Sequence, residues 1–178
     1  MKTMYHGTTD VINKIDLTKS RLRLDFGKGF YLADKQGTAH IWAKNKVIQM
    51  GRGMPTMLAY DINEAIYNTY GKRFNSMPEK EWLEFICFNR KSGKGNEPHH
   101  DYNWVSSPIA NDKVYSIVDD YMDGLININE AIKRARALPK TYQLSLHTLL
   151  ALDFINNDNV RYKQFINNKW SINWIKLM

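Results

Sequence analysis

Tyr5-His6-Gly7-Thr8 closes a short apolar start to the chain, and Gly27-Lys28-Gly29-Phe30-Tyr31-Leu32 follows as a glycine-rich turn running into an aromatic strand. A histidine leaving a strand beside a glycine, with an aromatic pair after a tight turn, makes a slot with a polar wall and a flat stacking floor. Gly7 has no Cβ, so a ligand can approach its backbone N–H and C=O, which match the acceptor and donors of a carboxamide. His6 offers a ring nitrogen to a ribose hydroxyl, and Tyr31 offers a π face to an aromatic ring. Gly27 and Gly29 let the chain turn sharply into the strand. Such a slot suits a nucleotide carrying an aromatic base. Each feature also has a structural reading, because a strand-end histidine commonly satisfies backbone and Gly-x-Gly occurs in many turns. Their conjunction favours the functional one.

Length and composition bound what can surround that slot. The 178 residues, 43% hydrophobic and 12% aromatic, can bury one sizeable core and read as a single domain, with a less defined C-terminal extension from about residue 156. No apolar stretch reaches the length of a membrane span, and no basic segment with an apolar run opens the chain, so a cytoplasmic protein is expected. Cys87, the single cysteine, falls among Phe85, Ile86 and Phe88 and reads as a buried thiol. Lysine and arginine number 25 against 18 acids, a net charge of +7 that favours an acidic partner such as nucleic acid or a phosphorylated ligand. The basic residues are scattered in small groups, as on an ordinary solvated surface.

Hydrophobic spacing gives alternating elements without repeats. Residues 1–6 and 30–32 read as strands, and 35–50 as a helix with Ala39, Trp42, Ala43, Val47 and Met50 at helical spacing, ended by Gly51. Residues 56–62 alternate as a strand packed on one face. Ser76 and Glu79 have the spacing of a capping box before a helix bearing Trp82, Phe85, Ile86 and Asn89. A loop is expected over Ser92 to His100, then a strand to Ile109 whose Pro108 belongs at an edge or turn. Asn111 is placed as a cap for a helix with Val114, Tyr115, Val118 and Tyr121 on one stripe; Asn127 with Glu130 caps another helix, which Pro139 closes. Residues 142–148 read as a strand with Leu144 and Leu146 on one face and Gln143, Ser145 and His147 on the other. With no regular strand–helix–strand alternation and no phosphate fingerprint, the class is α+β rather than doubly wound.

Tyr5-His6-Gly7-Thr8, Ser20-Arg21, Asp25-Phe26-Gly27-Lys28-Gly29-Phe30-Tyr31-Leu32, Trp42-Ala43, the stretch from Pro108 to Tyr115, and Gln143-Leu144-Ser145-Leu146-His147-Thr148 occur in this order. Together they resemble a bacterial family of uncharacterised ADP-ribosyltransferase-like domains, within the His-Tyr-Glu-type superfamily, from about Met4 to Phe154. The resemblance implies a split, bent β-sheet flanked by helices, with NAD as co-substrate in a cleft between its halves. It implies that His6, Gly7, Thr8, Arg21, Phe30 and Tyr31 surround the cofactor: His6 on the adenosine ribose, Gly7 on the nicotinamide amide, Tyr31 stacked on the nicotinamide ring and Arg21 near the diphosphate. Arg21 equally suits a surface ion pair with Asp25. His6, Tyr31 and Gln143 would be the catalytic set.

Gln143 departs from the family pattern, which places a glutamate there. Breaking the nicotinamide–ribose bond passes through a cationic sugar, as glycoside hydrolysis does, and a carboxylate stabilises that charge. A glutamine can orient the 2′-hydroxyl but carries no charge, and losing one well-placed polar partner costs about 10²–10³ in rate. Asp101 or Asp112 could supply the charge, or serve as turn residues. The activity implied is mono-ADP-ribosylation of nucleic acid or protein, as an intracellular toxin or phage-defence effector with an inhibitor or antitoxin protein. A non-catalytic NAD- or RNA-binding module of the same fold is the first alternative. An NAD-dependent RNA 2′-phosphotransferase ranks last, because only Arg21 and Arg23 sit near a cleft motif. Asp25-Phe26-Gly27 spells a kinase fragment without its companion motifs. His99-His100 reads as loop surface, not metal ligation, and His147 is expected to satisfy a local backbone group.

Overall fold

A computed structural model gives the three-dimensional arrangement and describes residues 1–91, 100–109, 112–138 and 141–177. The strands are β1 (Lys2–Thr8), β2 (Phe30–Ala33), β3 (Thr56–Ile62), β4 (Gly71–Arg73), β5 (Trp104–Pro108), β6 (Tyr142–Leu146), β7 (Ile155–Ile166), β8 (Lys169–Trp170) and β9 (Ile175–Lys176). The helices are α1 (Gln36–Met50), α2 (Lys80–Lys91), α3 (Asp112–Met122), α4 (Ile128–Arg136) and the single turn α5 (Leu149–Leu152). One nine-stranded sheet runs β4-β5-β6-β2-β1-β3-β7-β8, with β9 also on β7. Its pairings are antiparallel except that of β4 with β5. The class is α+β, as the irregular mixture of elements predicts.

Register assigns each side chain to a face. Ala33 stands opposite both Tyr5 and Gln143, and Gln143 stands opposite Ser107. Opposed residues share a face and the face alternates along a strand. Gly7, Tyr31, Gln143 and Ser145 therefore point to one side, and His6, Phe30, Leu32 and Leu144 to the other. The first side carries the long helices: α1 over β1, and α2 to α4 over β5, where Val105 joins Trp82, Ile86, Val114, Val118 and Ala131 in one apolar cluster. On the second side Met4, Phe30, Leu32, Leu58, Leu144 and Leu146 pack with Ile66 and Ala151. β3 is buried on both faces except at Asp61, because α1 covers the side that was expected to face water.

Most boundaries follow local chemistry. Gly51 ends α1 with its N–H on the Val47 carbonyl at 2.9 Å. Asn127 caps α4 by accepting the Glu130 N–H at 3.0 Å, while the Glu130 carboxylate turns to Arg134 at 2.8 Å instead of closing the box. Ser76 caps nothing: α2 begins at Lys80, and its first carbonyl is that of Glu79, bonded to the Leu83 N–H at 3.1 Å. Pro78 explains the delay, since a residue before proline avoids the helical region and holds Met77 outside the helix. Pro108 lies between two strands yet costs no ladder bond to β4, whose pairing stops at Ser106. Tyr115, expected on the buried stripe of α3, is 53% exposed and stacks on the Arg90 guanidinium at 4.1 Å. Most of the expected 92–100 loop, the Asn111 cap and Pro139 lie outside the described residues.

The C-terminal stretch holds the largest departure. β7 is the longest strand and pairs with β3 from Ile62↔Ile155 to Thr56↔Gln164, with a bulge between Ala59 and Asp61. Asn159 and Arg161 reach the Asp61 carboxylate there, at 2.5 and 2.9 Å. The chain then folds back so that Trp174 stacks on Tyr5 at 6.0 Å and Trp170 donates to His40 of α1 at 2.7 Å. The tail aromatics dock on the core.

Candidate functional site

β1 pairs with β3 along its whole length but with β2 only at Tyr5↔Ala33. From His6 onward the two central strands part, and the expected residues gather around that seam. Gly7 lies directly under α1: a Cβ there would sit 2.0 Å from the Ala39 carbonyl, 2.7 Å from the Ala43 nitrogen and 2.9 Å from the Trp42 Cβ. The absent side chain thus lets helix and strand close together, with Trp42 beside the Gly7 backbone. Thr8, the last residue of β1, pairs with Thr56.

His6 bridges the seam. Its Nδ1 lies 2.7 Å from the Tyr31 carbonyl, and a carbonyl only accepts, so Nδ1 carries the proton and Nε2 presents a lone pair. The Lys46 ammonium donates to that lone pair at 3.4 Å. The imidazole stacks on Phe30 at 4.4 Å, and Phe30 in turn meets Tyr60 edge-on at 5.4 Å. Burial and the Lys46 charge hold the His6 pKa down to about 3, against the opposing hydrogen bond to Tyr31, so the ring is neutral. Phe30 is 7% exposed and supports the imidazole from the core side.

Tyr31 leaves its strand on the other face, so the two rings do not face one another; His6 meets only the main chain of Tyr31. The phenol oxygen donates to the Gly27 carbonyl at 2.7 Å and accepts the Phe26 N–H at 3.0 Å, closing the turn that precedes its own strand. Burial, with Asp25 nearby, raises its pKa well above the ordinary phenol value. The hydroxyl is committed to the turn, and the ring, parallel to Phe26 at 6.2 Å, is only partly buried.

Arg21 stands at the same end of the seam. Ser20 pins the preceding loop by accepting the Gly29 N–H and donating to the Gly29 carbonyl, both at 2.9 Å. Arg21 then reaches Gln49 of α1 at 3.3 Å. Asp25, its alternative partner from sequence, instead takes Arg90 at 2.6 Å.

Gln143 shares the Tyr31 face and is 3% exposed, with no partner for its Nε2. Ser107 beside it is held by the Trp82 indole at 3.2 Å. Asp101 precedes β5 at the end away from Ser107 and so is not brought to Gln143. His147 ties β6 to the glycine turn: Nδ1 donates to the Lys28 carbonyl at 2.6 Å, and Nε2 accepts the Ser145 hydroxyl at 2.8 Å. Burial and the neighbouring His100 hold its pKa down to about 3, against the Lys28 hydrogen bond. A Cβ on Gly29 would strike this imidazole at 2.8 Å, which gives that glycine a packing reason. Ser145 and His147 have dyad spacing, but Ser145 is 0% exposed and offers no nucleophile to solvent.

Lys46 is the site residue that the sequence reading missed. It follows Ala39 and Ala43 at the spacing of the sheet-facing stripe of α1, and a lysine on such a stripe was the available signal. Among the described residues no group of three or more metal-ligating side chains occurs. His100 is partly buried rather than loop surface, bonding the Phe26 carbonyl at 2.9 Å; His99 lies outside the described residues. A cavity of about 610 Å³ opens at the opposite end of β1, among Lys2, Glu64, Tyr67, Arg73 and Tyr142, and none of the expected site residues lines it. No described helix is long and apolar enough to cross a membrane.

Comparison with curated proteins and with solved structures yields no match. One family model does match, over residues 2–156, taking in the whole seam and stopping where the C-terminal extension begins. The chain accordingly belongs to the family described as "Protein of unknown function (DUF3990)".

Proposed function

We propose that this chain is a mono-ADP-ribosyltransferase that takes NAD at the β1–β2 seam and modifies a macromolecule. The observation that carries the reading is the parting of the two central strands beside Gly7, flanked by a neutral His6 and the Tyr31 ring, in the chain order of the family it resembles. That parting, a single rung between two neighbours of one continuous sheet, is what supports a ligand seam here.

The residues fit the dinucleotide as a bound group. Main-chain groups of β1 beyond Tyr5 have no β2 partner and can meet a carboxamide. The His6 Nε2 lone pair is an acceptor for a ribose hydroxyl, and Arg21 is a cation for the diphosphate. The orphaned Gln143 amide is a buried group in want of a partner. NAD, when bound, supplies the ADP-ribosyl group through its weak nicotinamide–ribose bond. Gln143 would orient a ribose hydroxyl, and Tyr31 would hold the ring by its face, since its hydroxyl is already engaged.

Transition-state charge is the weak point of the chemistry. Gln143 carries no charge, and the neighbouring Asp34 carboxylate is engaged by the Tyr142 N–H at 2.9 Å, which favours slow or narrowly targeted transfer. The same observation supports a second reading, an NAD-binding module without transfer. Incubation with labelled NAD and bacterial lysate, followed by nuclease or protease digestion, separates the two. Label retained on nucleic acid or protein, with released nicotinamide, supports transfer; binding without release supports the module; no binding sinks both. Gln143→Glu should raise turnover where missing charge limits it, and full activity in Gln143→Ala would remove Gln143 from the mechanism.

A further inference from the structure

The buried Arg90 and the partly buried Arg161 and Lys72 have acid partners, Asp25, Asp61 and Glu81. The partly buried Lys46 and the exposed Arg21 do not. Among the described residues no carboxylate lies within ion-pair distance of either, and their polar contacts are the His6 imidazole and the Gln49 amide. Gln49 follows Lys46 by nearly one turn of α1, so both cations are held on the same side of one helix, at the open end of the seam.

We propose that Lys46 and Arg21 form an anion clamp for the diphosphate of a nucleotide, and that Lys46 plugs the His6 acceptor until that anion arrives. The inference rests on the nucleotide reading above and adds to it a binding residue and an order of events. In the resting arrangement the ammonium occupies the one lone pair of a neutral, nearly buried imidazole. A diphosphate is a better partner, offering charge-assisted hydrogen bonds that the imidazole cannot match. Lys46 swings to the phosphate, and His6 Nε2 is then free to accept a sugar hydroxyl. Phosphate and ribose are thereby recognised together, so a nucleoside lacking phosphate must displace the plug unaided. Burial and Arg21 lower the Lys46 pKa to about 8, the sign of a cation in want of an anion. Two cations gathered at one end of one helix, Lys46 on His6 and Arg21 on Gln49, suit a compact diphosphate better than a polynucleotide, which calls for a run of contacts along its backbone.

The experiment titrates the full chain with ADP, adenosine and NAD by calorimetry, in wild type, Lys46→Gln, Lys46→Arg and Arg21→Gln. Wild type should bind ADP at least tenfold more tightly than adenosine. Lys46→Gln should lose about tenfold to a hundredfold in ADP affinity, with adenosine binding unchanged or improved because the plug is gone, and Lys46→Arg should recover part of the loss. In wild type, NMR of the lysine side chain should show the Lys46 pKa rising when ADP binds, a readout that needs no variant to fold. Equal ADP binding by wild type and a folded Lys46→Gln, or no preference for ADP over adenosine, overturns the clamp. NAD binding indifferent to Lys46 removes the clamp and leaves the transferase reading. ADP binding through Lys46 without NAD binding or turnover keeps the clamp and removes the transferase. Failure of wild type to bind any of the three removes both.

Discussion

Tyr31 shows how one side chain can divide its duties between an edge and a face. Its oxygen holds the Phe26–Gly27 turn by two hydrogen bonds, whereas its ring is what a planar ligand could stack upon. Tyr31→Phe should therefore lower stability by about 1–3 kcal/mol, as expected for leaving buried backbone groups unpaired, yet keep NAD affinity within a factor of two or three. Tyr31→Ala should abolish binding. Denaturant melts beside calorimetric titration separate these, and equal loss of affinity in both variants would tie the hydroxyl to the ligand. The two buried imidazoles make a second prediction. His6 and His147 titrate near 3 in the folded protein against 6.5 when free, so the unfolded chain binds more protons between those values. Stability is full above pH 6.5 and falls as the medium is acidified toward 3, by up to about 1.4 kcal/mol per pH unit for each ring. Melting temperature recorded from pH 7 to 4 should fall steadily, and His147→Gln should flatten the slope. A profile insensitive to that replacement would mean that the ring is accessible and ordinary. That His147 serves a backbone group was expected, but the group is the Lys28 carbonyl, 119 positions away in sequence rather than local. The commitment of the Tyr31 hydroxyl was not legible, because the acceptor and donor that capture it are fixed only once the turn closes.

At the scale of elements, the junction of β1 and α1 is decided by what Gly7 lacks. Ala39 and Ala43 give the helix a smooth flank, and with Gly7 below them the two backbones come close enough that even a methyl is excluded. Gly7→Ala should cost about 1–3 kcal/mol or more as α1 is pushed off the sheet. Gly37 has nothing within 4 Å of its would-be Cβ, near the start of the same helix. Gly37→Ala should be neutral to stabilising by up to about 1 kcal/mol. Chemical denaturation of the pair tests the packing account; equal effects would sink it. Elements marked by their ends were readable: Gly51 stops α1 and Asn127 caps α4, while β3 was found by an alternation that its burial on both faces does not follow. β7 was not. Its Asn156-Asn157-Asp158-Asn159 run has poor strand propensity, and what makes it a strand is β3 beside it and the Asp61 carboxylate that gathers Asn159 and Arg161. Short β4 likewise exists by virtue of its neighbour β5.

Across the whole molecule, the sheet has unequal covers. One side is a continuous apolar layer crossing all its central strands, while the other is roofed by α1 at one end and by α2 to α4 at the other. The irregular order of strands and helices was enough to predict the class, but not that His6 and Tyr31 would leave by opposite faces. That follows from the single register Tyr5↔Ala33, which no local pattern encodes. The match at one rung alone has a consequence for solvent exchange. In an ordinary ladder, successive amides of a strand are tied to alternate neighbours; beyond Tyr5, β1 keeps only its β3 neighbour. Deuterium uptake at residues 6–8 should then run slow on amides directed at β3 and fast on amides directed at the missing partner. A ligand that hydrogen-bonds along the vacated edge would level the contrast. Uniform protection of these amides in the ligand-free protein would mean that the sheet is stitched shut.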